Sequence, residues 1–436
     1  MELKEKLSKV GITLPEIMLP VKGTDLQKWA VIACDQYSSE PEYWQAVTEL
    51  VGNEPSTLNL IFPECYLEDG DGIDRIKNIN STMNSYISNG VLSSLGESFV
   101  LIRRTTPDSP DRWGLITALD LEAYDFTEGS NSLIRATEGT ILDRIPPRKE
   151  IRKDALLEFP HIMVLLNDPA GLCIEPLEKK ADKLPKIYDF ELMMGSGHLT
   201  GYHISTPQDI EAFANGLLTL LDKENMDDPM LYAMGDGNHS LATAKSIWED
   251  LKKDLDDASL KNHPARYALV ELVNLFDKGI VFEPIHRLIF DTDPQASLAA
   301  LLEECKGEFI ATDDLDLIST SVSADPQKPV IGIMGNGING YIKLIPEEGL
   351  LPTGLVQDWM DNFLLKNPGS RVDYIHGTES TRTLSFESGN MGILLPAIDK
   401  GSFFEAVKSR GAFPRKTFSM GEAREKRFYM ESRKIQ

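Results

Sequence analysis

Apolar positions along this chain recur at two spacings, which predict two kinds of element. Continuous or alternating apolar runs bounded by turn residues predict strands at 29–33, 99–105, 112–120, 161–166, 231–234 and 266–274. A further strand or extended segment is expected at 57–63, and the 99–105 and 112–120 pair, split by Pro107-Asp108-Ser109-Pro110, reads as a hairpin. Three-to-four spacing predicts helices instead. Tyr43, Trp44, Val47 and Leu50 line one over 41–51, opened by Pro41, with Ser38 or Ser39 and Glu42 fit for a capping box. Ile76, Ile79, Met83 and Ile87 line a helix over 74–89, and Ile210, Phe213, Leu217 and Leu220 line one over 206–221. Leu241, Ala244, Trp248, Leu251 and Leu255 line another that begins near 240. From 291 the composition turns linker-like. A smaller α+β pattern follows: a hairpin of 329–334 and 341–344 through Asn336-Gly337, then a helix over 355–365.

The chain is organised around 231–244. An apolar strand there turns on Gly235 and Gly237 and runs directly into a helix, leaving Gly-Asp-Gly-Asn-His-Ser at the junction. Glycine permits a tight turn, and a helix start offers unpaired N–H groups and a positive dipole end, which together suit an anion. Asp236 and His239 add a carboxylate and an imidazole. Two readings follow: a strand-to-helix turn capped by Asn238 or Ser240, or a phosphate and acid–base site. The stretch is neither a P-loop nor a dinucleotide fingerprint.

Four other stretches carry candidate chemistry. Asp35 ends the 29–33 strand, where α/β folds place ligand-binding groups, and it is read either as a ligand or as a turn aspartate. Between 133 and 152 gather Arg135, Arg144, Arg148, Arg152 and Lys149, with Glu138, Asp143 and Glu150 beside them as alternative partners. Arginine's planar fork suits phosphate, and Pro146-Pro147 are expected to deny a helix before Arg148. Gly195-Ser196-Gly197-His198 is fit for a ligand loop or an ordinary hairpin turn. His286 and Arg287 on an apolar strand are candidates for phosphate contact or proton transfer, against the alternative of satisfied core residues. Basic residues beyond Gly421 are expected to be solvated, and Cys34 to be a small buried residue rather than a nucleophile.

Composition narrows the function classes. Lys and Arg number 44 against 68 Asp and Glu, a net charge of −24. General nucleic-acid binding needs a basic footprint and is not expected. Four cysteines stand far apart, without metal-ligand spacing, and predict a reducing, cytoplasmic home. The opening residues lack a signal-peptide core and no apolar run approaches membrane-spanning length, so no membrane partner is expected.

The turn at Asp236-Gly237-Asn238-His239-Ser240 resembles the Asp-Gly-His-His-Arg box of the DUF1015 group of bacterial and archaeal proteins. So do Arg135-Ala136-Thr137-Glu138 through Arg148, the Asp35 turn, Pro284-Ile285-His286-Arg287, and the closing 411–421 with Pro414-Arg415-Lys416. Asn238 stands where that box has its first histidine and Ser240 where it has arginine, so a guanidinium must reach the turn from elsewhere. The resemblance implies a mixed α/β (α+β) fold: a ParB/sulfiredoxin-like core with insertions over 1–290 and a C-terminal α+β unit over 291–436. It also implies a phosphotransferase, similar to the archaeal free-serine kinase, acting on a small hydroxyl metabolite such as serine. Gly235, Asp236, Gly237, Asn238, His239 and Ser240 would cradle phosphates of ATP or ADP with Mg2+. Arg135, Glu138, Arg144, Arg148, His286 and Arg287 would bind the phosphorylated metabolite or nucleotide, and Asp35 or Glu40 would be the base. No dedicated metal site is expected. The alternatives are a phosphatase on a small phosphorylated amino acid and a non-catalytic nucleotide-binding module.

Overall fold

Successive side chains of a strand point to opposite faces, and in Phe99–Thr105 both faces are apolar. Phe99 and Leu101 enter one core with Phe213, Leu217, Leu241 and Trp248, while Val100 and Ile102 enter another with Trp29, Val31, Trp44 and Tyr429. A sheet built from such strands must be covered on both sides. The computed structural model describes residues 2–107, 109–325, 327–346, 351–414 and 416–436, so Asp108 of the expected hairpin turn and Arg415 of the closing motif lie outside the described residues.

The chain divides into two units, Met1–Ile280 with Gly421–Gln436, and Val281–Met420. The expected division at 290 therefore differs in two ways. The boundary comes earlier, and the tail returns to the first unit.

Among the described residues the first unit holds a ten-stranded sheet. Its order is Lys186–Glu191, His198–Ile204, Phe99–Thr105, Arg112–Asp120, Tyr267–Asn274, Met163–Leu166, Tyr232–Asp236, Ile134–Arg135 and Tyr124–Asp125, with Ile12–Thr13 paired to Arg112–Asp120. The Tyr232–Asp236 strand runs antiparallel to Met163–Leu166 and parallel to Ile134–Arg135. Helices Pro207–Leu221 and Asn238–Leu251 cover one face, with Thr206 capping the first through its side chain. The fold is mixed α/β, as the resemblance implied.

Several local expectations are corrected. Residues 29–33 are not a ladder strand: Leu26–Trp29 is a short helix, and the buried segment after it meets the tail at a single Ile32–Phe428 bridge. Thr57–Leu60 and Glu64–Tyr66 are 3-10 turns rather than a strand. Ile145–Arg152 is helical, because Pro146 and Pro147 occupy its first turn, where the missing N–H has no partner to lose. Glu40, with no side-chain bond, caps helix Pro41–Val51, so the capping box is absent. Helix Asn238–Leu251 stops short of Leu255. Gly195–Gly197 close the hairpin of Lys186–Glu191 and His198–Ile204, with His198 bonded to Asp189 and Glu191, so the turn reading holds there.

The second unit builds its own sheet in the order Glu308–Ala311, Gly340–Lys343, Val330–Gly335, Met391–Leu394, Phe282–Phe290 and Arg371–His376. Helix Pro352–Lys366 packs Val356, Trp359 and Met360 into its core with Ile331, Ile333 and Ile393. His286 and Arg287 belong to this core. Leu395 N–H donates to His286 Nδ1 at 3.1 Å, and Arg287 donates to Ile285 O at 2.7 Å and Gln357 Oε1 at 3.2 Å under the Tyr374 ring. Burial and the Arg287 charge push His286 down to about 4. Both side chains are buried and engaged within this core, although Arg287 Nη2 has no hydrogen-bond partner among the described residues, so they stand as structural groups rather than in the expected phosphate role.

The tail is fixed by buried charge. Glu271 is fully buried and bonds Arg112 at 3.2 Å and Arg427 at 3.1 Å. Arg427 also meets Glu431, whose carboxylate accepts the Tyr188 hydroxyl. Gly114 makes room for this arrangement, because a Cβ there would lie 2.7 Å from the Glu271 Oε1. Burial opposes the charge on Glu271, yet Arg112 and Arg427 hold its carboxyl below the usual range. Removing one partner of a buried pair leaves an uncompensated charge and costs about 3–5 kcal/mol. Arg427→Leu is therefore expected to lower the urea-unfolding free energy of the protein by about that amount. A loss below about 1 kcal/mol, typical of an exposed pair, would show that the network is not what anchors the tail.

Candidate functional site

The central turn is shaped by glycine. Gly235 sits at a register shift between Met234 and Asp236 against the Met163–Leu166 strand. Gly237 has φ +82°, and a Cβ there would sit 3.1 Å from Ile162 Cα. Gly237, not Asn238 or Ser240, is the cap of helix Asn238–Leu251, and no side chain caps it. Ser240 is half-buried in the first turn. Asn238 does a different job from the expected phosphate contact. Its buried Oδ1 accepts the Thr137 N–H at 3.2 Å, and the Thr137 hydroxyl donates to Met234 O at 2.6 Å, which pins the 136–141 loop across the turn.

That loop also engages His239. The Ile141 N–H donates to His239 Nε2 at 3.2 Å, so the ring offers a lone pair there. Burial, then the charges of Arg148 and Arg144, push His239 down to about 4. Asp236 accepts the Gly237 N–H at 2.8 Å and pairs with Lys426 at 3.2 Å. Burial opposes its charge, but Lys426, the nearby His161 ring and the Gly237 N–H hold the carboxyl below its ordinary value.

Asp35 closes the group from the other side. It follows the buried 30–33 segment, and Gln36 donates to its Oδ1 at 3.0 Å. Cys34 O accepts the Glu64 N–H at 2.8 Å, and Glu64 pairs with Arg148, whose Nη1 donates to Arg144 O at 3.0 Å. Burial raises the Glu64 acid, with Asp35 raising it further against Arg148 and His161. Burial likewise pushes the Cys34 thiol up to about 12, away from the thiolate form. Arg144 is exposed and makes no ion pair among the described residues.

Of the sequence candidates, Asp35, Arg144, Arg148, Asp236, Gly237 and His239 are brought together. Arg135 is not. It is buried in its strand, bonding Ser132 O at 2.9 Å, Pro229 O at 3.1 Å and Asp228, and so is a clamp rather than an anion site. Glu40 is exposed at its helix start, where its charge acts on the Tyr37 hydroxyl. Glu138 is half-buried on the pinned loop. Glu64, His161, Lys426 and Tyr429 belong to the site and carry no motif spacing. The basic tail is not a solvated one, since Lys426 reaches Asp236 while Arg427 and Arg433 are buried. No group of three or more His, Cys, Asp or Glu among the described residues is arranged to hold a metal ion.

A family model described as "Protein of unknown function (DUF1015)" matches residues 18–363. The chain belongs to the DUF1015 family. No curated protein matches this DUF1015 chain in sequence. It is similar in structure to a conserved hypothetical protein from Pyrococcus furiosus, at 11% identity and TM-score 0.36 over 74% of this chain and 95% of that one. It is also similar to a free serine kinase in complex with AMP, at 10% identity and TM-score 0.37 over 73% and 92%. A third likeness is to C-terminally truncated SbnI from Staphylococcus aureus, at 10% identity and TM-score 0.34 over 70% and 83%. No helix among the described residues is long and apolar enough to cross a membrane.

The depressed His239 pKa has a direction that can be checked. An unfolded histidine takes up its proton near 6.5, whereas the folded ring resists it down to about 4. Stability is therefore expected to fall as pH drops through that window, with no contribution from His239 above it. In an NMR titration, Arg148→Met should move the His239 midpoint upward from about 4. An unmoved midpoint would show that the Arg148 charge does not act on this ring.

Proposed function

We propose that this DUF1015 protein is a phosphotransferase that binds a nucleotide at the Gly237 turn and passes a phosphoryl group to a small hydroxylated metabolite such as serine. The observation that carries the reading is a helix start left without a side-chain cap, with the exposed Arg144 guanidinium and a neutral His239 beside it. Lys426 is matched by Asp236 and Arg148 by Glu64, which leaves the Arg144 guanidinium and the helix N–H groups to meet phosphate oxygens. Arg144 supplies the guanidinium that Ser240 does not.

Phosphoryl transfer requires positioning and neutralisation of charge more than covalent chemistry. Arg144 and the first N–H groups of the helix neutralise the transferring group. Asp35 takes the proton of the acceptor hydroxyl as that oxygen bonds to phosphorus and the donor's bridging oxygen leaves. Asp35 suits this role better than Glu40, which is exposed, or Glu64, which is tied to Arg148. Magnesium would arrive on the nucleotide's phosphates with at most one or two protein carboxylates, Asp35 being the available one. When bound it would screen the phosphate charge.

The test is a thermal-shift and turnover screen with ATP, ADP and AMP, each with and without magnesium, and with serine as acceptor. Nucleotide should raise the melting temperature. Arg144→Ala should weaken binding about ten- to a hundredfold, the loss of one charged hydrogen bond. Asp35→Asn should keep binding and abolish transfer. Phosphate release from phosphoserine without nucleotide would make the protein a phosphatase, and tight binding without turnover would make it a binding module. No shift with any nucleotide would end the proposal.

A further inference from the structure

His161 lies at the site although no motif marks it. The Asp236–Met163 pairing and the close approach of Gly237 to Ile162 bring residue 161 alongside the turn, just beyond the ladder. Its ring stands perpendicular to that of Tyr429, at 87° with centroids 5.6 Å apart, and its Nδ1 lies 2.9 Å from the Tyr429 hydroxyl. That hydroxyl is already an acceptor, because the Cys34 backbone N–H donates to it at 3.1 Å. A phenol has one proton to give. The competing acceptor is the Cys34 sulfur, which is weak, so the proton goes to the imidazole nitrogen. Nδ1 is then an acceptor, and a neutral His161 must carry its own hydrogen on Nε2.

Resting on the reading of the Gly237 turn as a phosphate site, we propose that His161 presents an Nε2–H donor to the bound phosphate and that Tyr429 is the positioning residue that fixes this tautomer. The chain Cys34 N–H to Tyr429 O–H to His161 couples the segment bearing Asp35, through the tail, to the turn bearing Asp236. It gives the tail a role in binding besides its anchoring one. The ring also lies near the Asp236 and Glu64 carboxyls.

The experiment is long-range 15N–1H NMR on the full chain with labelled histidine, at neutral pH, before and after ADP with magnesium. His161 is assigned from His161→Gln. We expect an Nε2–H tautomer that becomes mixed in Tyr429→Phe, and an Nε2 shift on adding ADP. His161→Leu should weaken ADP binding about tenfold, while His161→Gln, which keeps an N–H donor, should recover most of it. An Nδ1–H tautomer in the wild type would overturn the proposal without need of any variant. An Nε2–H tautomer unmoved by ADP, while ADP still raises the melting temperature, would overturn the phosphate contact and leave the nucleotide reading standing. Absence of any ADP response by either measurement would remove both.

Discussion

A buried carboxylate obliges Gly421–Gln436 to fold back into the first unit. Glu271 sits on the apolar face of a central strand with no exposure to water, where an unpaired charge is disfavoured by several kcal/mol. Arg112 on the neighbouring strand satisfies one oxygen, and the other is met by Arg427. Arg427 in turn brings in Glu431 and through it the Tyr188 hydroxyl. A second buried carboxylate, Glu158, repeats the arrangement with Arg433 from the tail and Arg152 from helix Ile145–Arg152. Two carboxylates thus hold the tail and also secure the helix that carries Arg148.

The candidate site is a by-product of this anchoring. Lys426 and Tyr429 flank Arg427, so fixing Arg427 sets where both can reach. Lys426 meets Asp236, and Tyr429 bridges Cys34 and His161. Asp35, Arg144 and the turn bearing Asp236 and His239 come from three separate stretches of the first unit. The cross-links between those stretches are the tail and the pinned 136–141 loop. Asn238 illustrates the trade: the side chain a sequence reader offers to a phosphate is spent on holding the loop that brings Arg144 near.

What the sequence made legible follows from how local each signal is. Strand-to-helix at 231–251, the 99–120 hairpin and helix Pro207–Leu221 depend on short-range periodicity and caps, and they are found as expected. The family was also legible, because the Asp236–Ser240 box and the 135–148 stretch are short motifs. Residues 29–33 looked like a strand because all are apolar, but their burial comes from packing beneath the tail rather than from a ladder. Lys426, Tyr429, His161 and Glu64 were illegible for a stronger reason. Each is ordinary in its own neighbourhood and acquires meaning only through a partner far away in the chain. Arg135 was misread by the same logic in reverse, since Asp228 and Pro229 had already claimed it.

The electrostatics of the site separate charge that responds to pH from charge that does not. A guanidinium keeps its charge across the physiological range, so Arg144 and Arg148 supply a constant positive field. That field, added to burial, is what keeps the His239 ring neutral down to about 4. A neutral imidazole beside fixed cations can accept a hydrogen bond from Ile141 and hold the loop in place. A protonated one would have to surrender that bond and repel both arginines. The turn thus joins positive charge that is already present to a loop whose His239 contact does not depend on the neutral-range pH. Asp236, the carboxylate at this turn, is matched by Lys426, and Arg148 by Glu64, so Arg144 is the guanidinium of this group with no ion pair among the described residues.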